Sequence, residues 1–123
     1  MINEYNYHCF HCKNQLNKNQ EVEFLIERNT KERGKIFLSP TPKSYNYRTE
    51  PEIKFIKDEM VDFICVHCNK NLVSKQYPKF VKIHLKVTDN VLIDVFFSRV
   101  HGVQKTYVGL EDFKDIYGDE MNL

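Results

Sequence analysis

The chain of 123 residues predicts a mainly β fold, a small α+β one in detail, on three observations. Strand formers recur in short runs separated by turn residues. Only one stretch, near the C-terminus, repeats its apolar residues at helical spacing. All four cysteines fall in two CxxC pairs, each set in a ten-residue block that nearly copies the other. The expected order is a first cysteine turn, an inserted β-hairpin, a long loop, a second cysteine turn, an antiparallel meander and one short helix.

The first cysteine block runs from Tyr7 to Leu16 and the second from Phe63 to Leu72, and both read aromatic-x-Cys-x-His-Cys-x-x-x-Leu. Two residues between cysteines let a tight turn aim both sulfurs at one ion while its backbone N–H groups point at the thiolates. Cys9, Cys12, Cys65 and Cys68 together supply the closed tetrahedral sulfur set that one structural Zn²⁺ prefers. Asn14 and Asn69 are expected to take the positive-φ place after each pair. Tyr7 and Phe63 belong on strands entering the turns, and Leu16 and Leu72 are placed to cover the site.

These blocks resemble the two knuckles of a zinc ribbon, which implies that Cys9, Cys12, Cys65 and Cys68 are the ligands of a single structural zinc ion. The chain departs from the common pattern in having no Pro between the cysteines and no Gly after them. Cys12 and Cys65 also lie farther apart than the roughly 15–20 residues of a compact site, so residues 17–62 form an insertion. A disulfide framework calls for an export signal, and Met1 to Asn6 has neither a basic nor an apolar segment. A thioredoxin-like pair uses one CxxC at a helix start, whereas both pairs here have strand-like flanks. Iron in a rubredoxin-like site shares the ligand geometry and stays open, as does thiol redox chemistry. His11 and His67, inside the pairs, are read as outward-pointing or second hydrogen-bond partners, since four thiolates already fill the tetrahedron. His8 is a spare ligand that nothing requires.

Within the insertion, Glu21–Glu27 and Lys35–Leu38 are rich in strand formers and flank the turn residues 29–34, which makes a β-hairpin. Ser39 to Pro51 holds three of the four prolines and reads as a long loop. Ile53–Ile56 and Met60–Phe63 read as short strands. Ser74 to Lys79 allows one helical turn, limited by Pro78. The meander covers 79–108. Val81, Ile83, Leu85 and Val87 alternate with polar residues, His84 among them; Thr88 to Asn90 turns the chain; Val91, Ile93, Val95 and Phe97 return it; His101-Gly102 leads into Val103–Val108. Leu92 and Phe96 make the middle strand apolar on both faces and therefore central. Leu110, Phe113, Ile116 and Tyr117 predict a short helix over 110–117, stopped by Gly118.

One domain over 1–123 is expected from the length. The net charge of +1 does not announce a nucleic-acid binder. Its distribution is uneven: eight basic residues oppose four acidic ones from Lys13 to Arg48, and five acidic residues oppose one basic from Glu111 to Glu120. Lys43, Tyr45, Tyr47 and Arg48 interleave aromatics with cations, as single-strand nucleic-acid platforms do. The bland reading of the same residues is loop anchoring. Phosphate-loop, nucleophile-elbow, metalloprotease and dinucleotide signatures are missing, and a four-thiolate zinc has no open position for chemistry. The sequence therefore predicts a non-enzymatic, zinc-stabilised binding or regulatory protein that docks on a protein partner or complex. The alternatives are direct nucleic-acid binding through the basic 13–48 region, and iron or thiol redox chemistry. No apolar run reaches membrane-spanning length, and reduced thiols point to the cytoplasm.

Overall fold

The computed structural model describes residues 6–40, 46–88, 90–103, 105–109 and 115–118. Its strands are β1 (Asn6–His8), β2 (Asn17–Lys18), β3 (Glu21–Glu27), β4 (Arg33–Leu38), β5 (Tyr47–Glu50), β6 (Asp62–Ile64), β7 (Phe80–Thr88), β8 (Val91–Ser98), β9 (Lys105–Gly109) and β10 (Asp115–Gly118). They form two antiparallel sheets. One is ordered β1-β7-β8-β9-β10; the other runs β2-β3-β4-β5, with β6 also paired to β3. No helix occurs among the described residues, and so none that could cross a membrane.

Alternation decides which faces meet. Val22, Phe24 and Ile26 of β3 and Ile36 of β4 are buried against Ile83 and Leu85 of β7 and Val95 of β8. Phe97 stands 5.7 Å from Phe24 and 5.2 Å from Phe63, ring centre to ring centre, which fixes the sheets face to face. Glu23 is buried on the opposite side of β3 and is paired with Lys35 at 3.3 Å. A second, smaller cluster of Phe80, Phe96 and Tyr77 covers the outer face of β8.

The copying seen in the cysteine blocks extends through the fold. Residue n of the first block matches n + 56 in the second, as Cys9 matches Cys65. Beyond the blocks the offset becomes 59. Val22 pairs with Leu38 as Val81 pairs with Phe97, and Ile26 with Gly34 as Leu85 with Ile93. Lys35 meets Glu50 as Asp94 meets Gly109, and Leu38 meets Tyr47 as Phe97 meets Thr106. Three strands of each half thus share one register. The halves also exchange their leading strands: β1 pairs with β7 of the second half, and β6 with β3 of the first.

Several expectations are corrected. Asp115–Gly118 is strand β10, paired with β9 from Asp115↔Val108 to Gly118↔Lys105, and not the second half of a helix. Residues 110–114 of that expected helix lie outside the described residues. A helix this short is marginal alone, whereas the edge of β9 offers ladder hydrogen bonds to the strand formers Ile116 and Tyr117. Tyr47–Glu50, read as loop, is an edge strand on β4, because the prolines flank this stretch without entering it. Ile53–Ile56 forms no strand: the Ile53 N–H is taken by Thr49 Oγ1 at 2.8 Å. Ser74–Lys79 forms a non-helical turn, with Ser74 Oγ accepting the Tyr77 N–H at 3.0 Å. Val87 and Val91, read as inward-facing, are 56% and 39% exposed, beside a bulge between Lys86 and Thr88.

Candidate metal centre

Each cysteine turn is built by the same three backbone bonds. In the first, Cys9 N–H donates to Asn14 O (3.0 Å), Lys13 N–H to Cys9 O (2.9 Å) and Leu16 N–H to Tyr7 O (2.8 Å). In the second, Cys65, Asn69 and Leu72 donate to Lys70, Cys65 and Phe63 at 3.0, 2.9 and 2.8 Å. Closing such a turn forces a left-handed residue directly after the second cysteine. Asn69 fills that place as expected, with φ 62°; in the first turn it is Lys13, with φ 68°, and not Asn14. Asn14 instead donates its side-chain amide to Cys12 Sγ at 3.4 Å. Further N–H groups point at sulfur: those of His11 and Cys12 at Cys9 Sγ (3.3 and 3.4 Å), and that of His67 at Cys65 Sγ (3.3 Å).

Strand exchange brings the turns together. Cys9 Sγ lies 3.8 Å from Cys68 Sγ, Cys12 Sγ lies 3.7 Å from Cys65 Sγ, and all four sulfurs fall within 4.8 Å of one another. A tetrahedral ion holding sulfur at the usual zinc–thiolate length of about 2.3 Å sets sulfurs about 3.8 Å apart. The donor set therefore fits a metal ion, and a zinc-binding site in particular. Cys9 and Cys65 are fully buried, while Leu16 and Leu72 lie buried beneath the turns.

The electrostatics ask for a cation. Burial pushes the Cys9 thiol up and the Cys65 thiol to about 12. Burial also opposes ionisation of Cys12, but hydrogen bonds from Asn14 and the neighbouring thiols outweigh it and lower that group to about 6. Protein groups alone favour a partly protonated cluster; a bound divalent ion would favour four thiolates. Lys13, Lys70 and Lys75 all act on His11 and give the site a positive surround.

His11 and His67 are not among the clustered donors, and neither is a bystander. His67 Nε2 bonds Gln15 O at 3.0 Å; burial lowers the pKa of His11, and the Asn71 backbone of the second turn is the group that most favours its charged form. Gln15 and Asn71 are matching positions, so each inner histidine faces the other turn, and His67 bonds across to it. Their identical place in the copied blocks was the sequence signal for this role. His8 bonds Lys13 O at 3.0 Å through Nδ1. His84, expected on a polar face, is mostly covered, lies 3.3 Å from Asp94, and has its Nδ1 unpartnered.

Of the other predicted site residues, Lys43 and Tyr45 lie outside the described residues. Tyr47 is 44% exposed at the rim of a cleft. Arg48 is committed within the chain, to Glu21 (2.9 Å) and Glu50 (2.6 Å), with its guanidinium 4.0 Å from the Phe37 ring centre. That cleft, about 390 Å³ between the two sheets, has no counterpart in any local sequence pattern. Two committed arginines were also missed: Arg28, bidentate on Glu59 at 2.6 and 2.9 Å, and Arg99, bonded to Val61 O, Pro78 O and Asp62.

Fold and site together define a mainly β protein of two interlocked, copied halves that share one cluster of four cysteines within metal-binding distance. Comparison with protein-family models, with curated proteins and with solved structures finds no match to the chain.

Proposed function

We propose that the four cysteines hold one structural Zn²⁺ in a ribbon-type site, and that the chain is a non-enzymatic binding protein that docks on a protein partner or complex. The observation that carries the zinc reading is the sulfur cluster, all within 4.8 Å, two of whose separations, 3.7 and 3.8 Å, match zinc–thiolate geometry. Four thiolates leave no position for substrate, so the ion's part is to hold the halves together.

Docking rather than nucleic-acid contact is supported by two features. Arg48, the cation best placed for phosphate, is neutralised by Glu21 and Glu50. The meander meanwhile exposes an apolar tip, with Val87, Val91 and Leu92 at 56%, 39% and 42% exposure. Metal analysis with ultraviolet–visible spectra tests the first part: one zinc per colourless chain is expected, and sulfur-to-iron charge-transfer bands would replace zinc with iron. Affinity capture with and without nuclease tests the second. A specific protein should be retained after nuclease and lost in Val87→Ser/Leu92→Ser; retention that depends on nucleic acid would reverse the reading.

A further inference from the structure

We propose that the cleft between the two sheets is a binding site for a neutral, largely aromatic small molecule of about two rings. Its volume of about 390 Å³ lies in the range of small-ligand sites. A cavity of about 150 Å³ accepts one benzene, so this one has room for two fused or linked rings. The cleft is lined by matching residues of the two halves, Phe24 with Ile83 and Leu38 with Phe97 among them, so both halves contribute equivalent walls.

Its walls specify the ligand. Inside, Phe24, Phe63 and Phe97 pack ring on ring with centres 5.2 to 5.7 Å apart; Phe24 is fully buried and backs the wall, and half-buried Phe97 is the ring of the three with surface to offer a guest. At the rim, Tyr47, Phe55 and His101 form a second trio, 5.3 to 6.2 Å apart. Charge is excluded from the guest by what is absent around it: Arg99 is the single Lys, Arg, Asp or Glu among the described lining residues, and its guanidinium is spent on Val61 O, Pro78 O and Asp62. A carboxylate or phosphate would lose its water without gaining a cation. One polar end is accommodated at the rim, where the His101 ring makes no hydrogen bond among the described residues. The site is separate from the docking reading above and stands whether or not a protein partner is captured.

The probe is 2-naphthol, titrated into the full chain and followed by naphthol fluorescence and heteronuclear NMR. Saturable binding of one molecule per chain is expected, with shifts centred on Ile83, Phe97 and His101. Ile83→Phe and Leu38→Phe fill the cleft with the residue that the other half carries at the same place, so the fold has a precedent for each. Either should weaken binding about tenfold or more. His101→Leu should weaken 2-naphthol up to about tenfold and leave naphthalene unchanged. The proposal is overturned if the folded chain shows no saturable binding, if binding survives both filling variants, or if 2-naphthoate binds as tightly as 2-naphthol.

Discussion

The two halves of the molecule share a register and differ in almost everything hung on it. In the first, β3 and β4 are joined by a pair with the acid on β3, Glu23 to Lys35 at 3.3 Å; in the second, the matching pair is reversed, Lys82 to Asp94 at 3.9 Å. Where the first half runs from cysteine turn to long strand through the β2–β3 hairpin, the second uses a longer turn held by Ser74 and covered by Tyr77 and Phe96. Phe24 stands where Ile83 does and Phe97 where Leu38 does, so the two rings that meet across the sheets, 5.7 Å apart, come from non-matching positions of the two halves. What the copies retain is backbone pairing and the sulfur turn; what they vary is side-chain volume and charge.

If both halves depend on one shared centre, damage to either turn should be equal and global. Cys9→Ser and Cys65→Ser should each abolish metal binding and remove most of the on the order of 10–16 kcal/mol that a structural zinc contributes. Circular dichroism melts and metal stoichiometry would show both variants losing the cooperative transition of the parent. A half that melted as before, while its copy unfolded, would break the picture of interlocked halves.

The next effect belongs to one half only. Glu59, in the link from β5 to β6, receives Arg28 in a bidentate pair whose side chains are 12% and 7% exposed. Breaking a buried pair from one side costs about 3–5 kcal/mol, so Glu59→Gln should lower stability by the smaller end of that range in urea unfolding at neutral pH. Hydrogen bonds from Arg28 hold the Glu59 carboxyl below its ordinary value of 4.5. Its contribution is therefore complete above that value and is lost as pH falls through the folded one. Parent and variant should converge on acidification.

The difference between halves also explains what could be read from the residues alone. Two CxxC pairs in nearly copied blocks are a local pattern, so Cys9, Cys12, Cys65 and Cys68 stood out, and their predicted gathering is what the structure contains. Strands β3, β7 and β8 were legible because one face of each must be apolar. That the strands of the two halves are copies of one another was not, because Leu25 stands where His84 does and Lys35 where Asp94 does, and a linker three residues longer changes the offset from 56 to 59. Strand β10 was hidden by spacing that suits a helix equally well, and β5 by the prolines around it. The cleft depends on how two sheets meet, which no local pattern encodes.

A smaller effect should fall unequally on the two inner histidines. His67 crosses between the turns through a hydrogen bond to Gln15 O at 3.0 Å, so His67→Ala should cost about 1 kcal/mol and His11→Ala less. Metal stoichiometry should be unchanged while transfer of the ion to a chelator becomes faster. A variant that lost the ion outright would make that histidine a ligand.

The smallest effect separates the two turns at one backbone position. Lys13 and Asn69 both sit in the left-handed region, with φ 68° and 62°. A side chain with a Cβ costs about 1–2 kcal/mol there, and Asn offsets part of this by local hydrogen bonding. Glycine removes that cost but adds about 0.5–1 kcal/mol of chain entropy to the unfolded state. Lys13→Gly should therefore stabilise by up to about 1 kcal/mol, and Asn69→Gly should be close to neutral. The exposed bond from Lys13 Nζ to Phe10 O, at 2.9 Å, contributes little to set against that gain. Lys13→Asn is the control: it should recover part of the gain without the entropy cost. Thermal melts of the three variants decide the matter, and a destabilised Lys13→Gly would mean that the Lys13 side chain, rather than its backbone, is what the first turn needs.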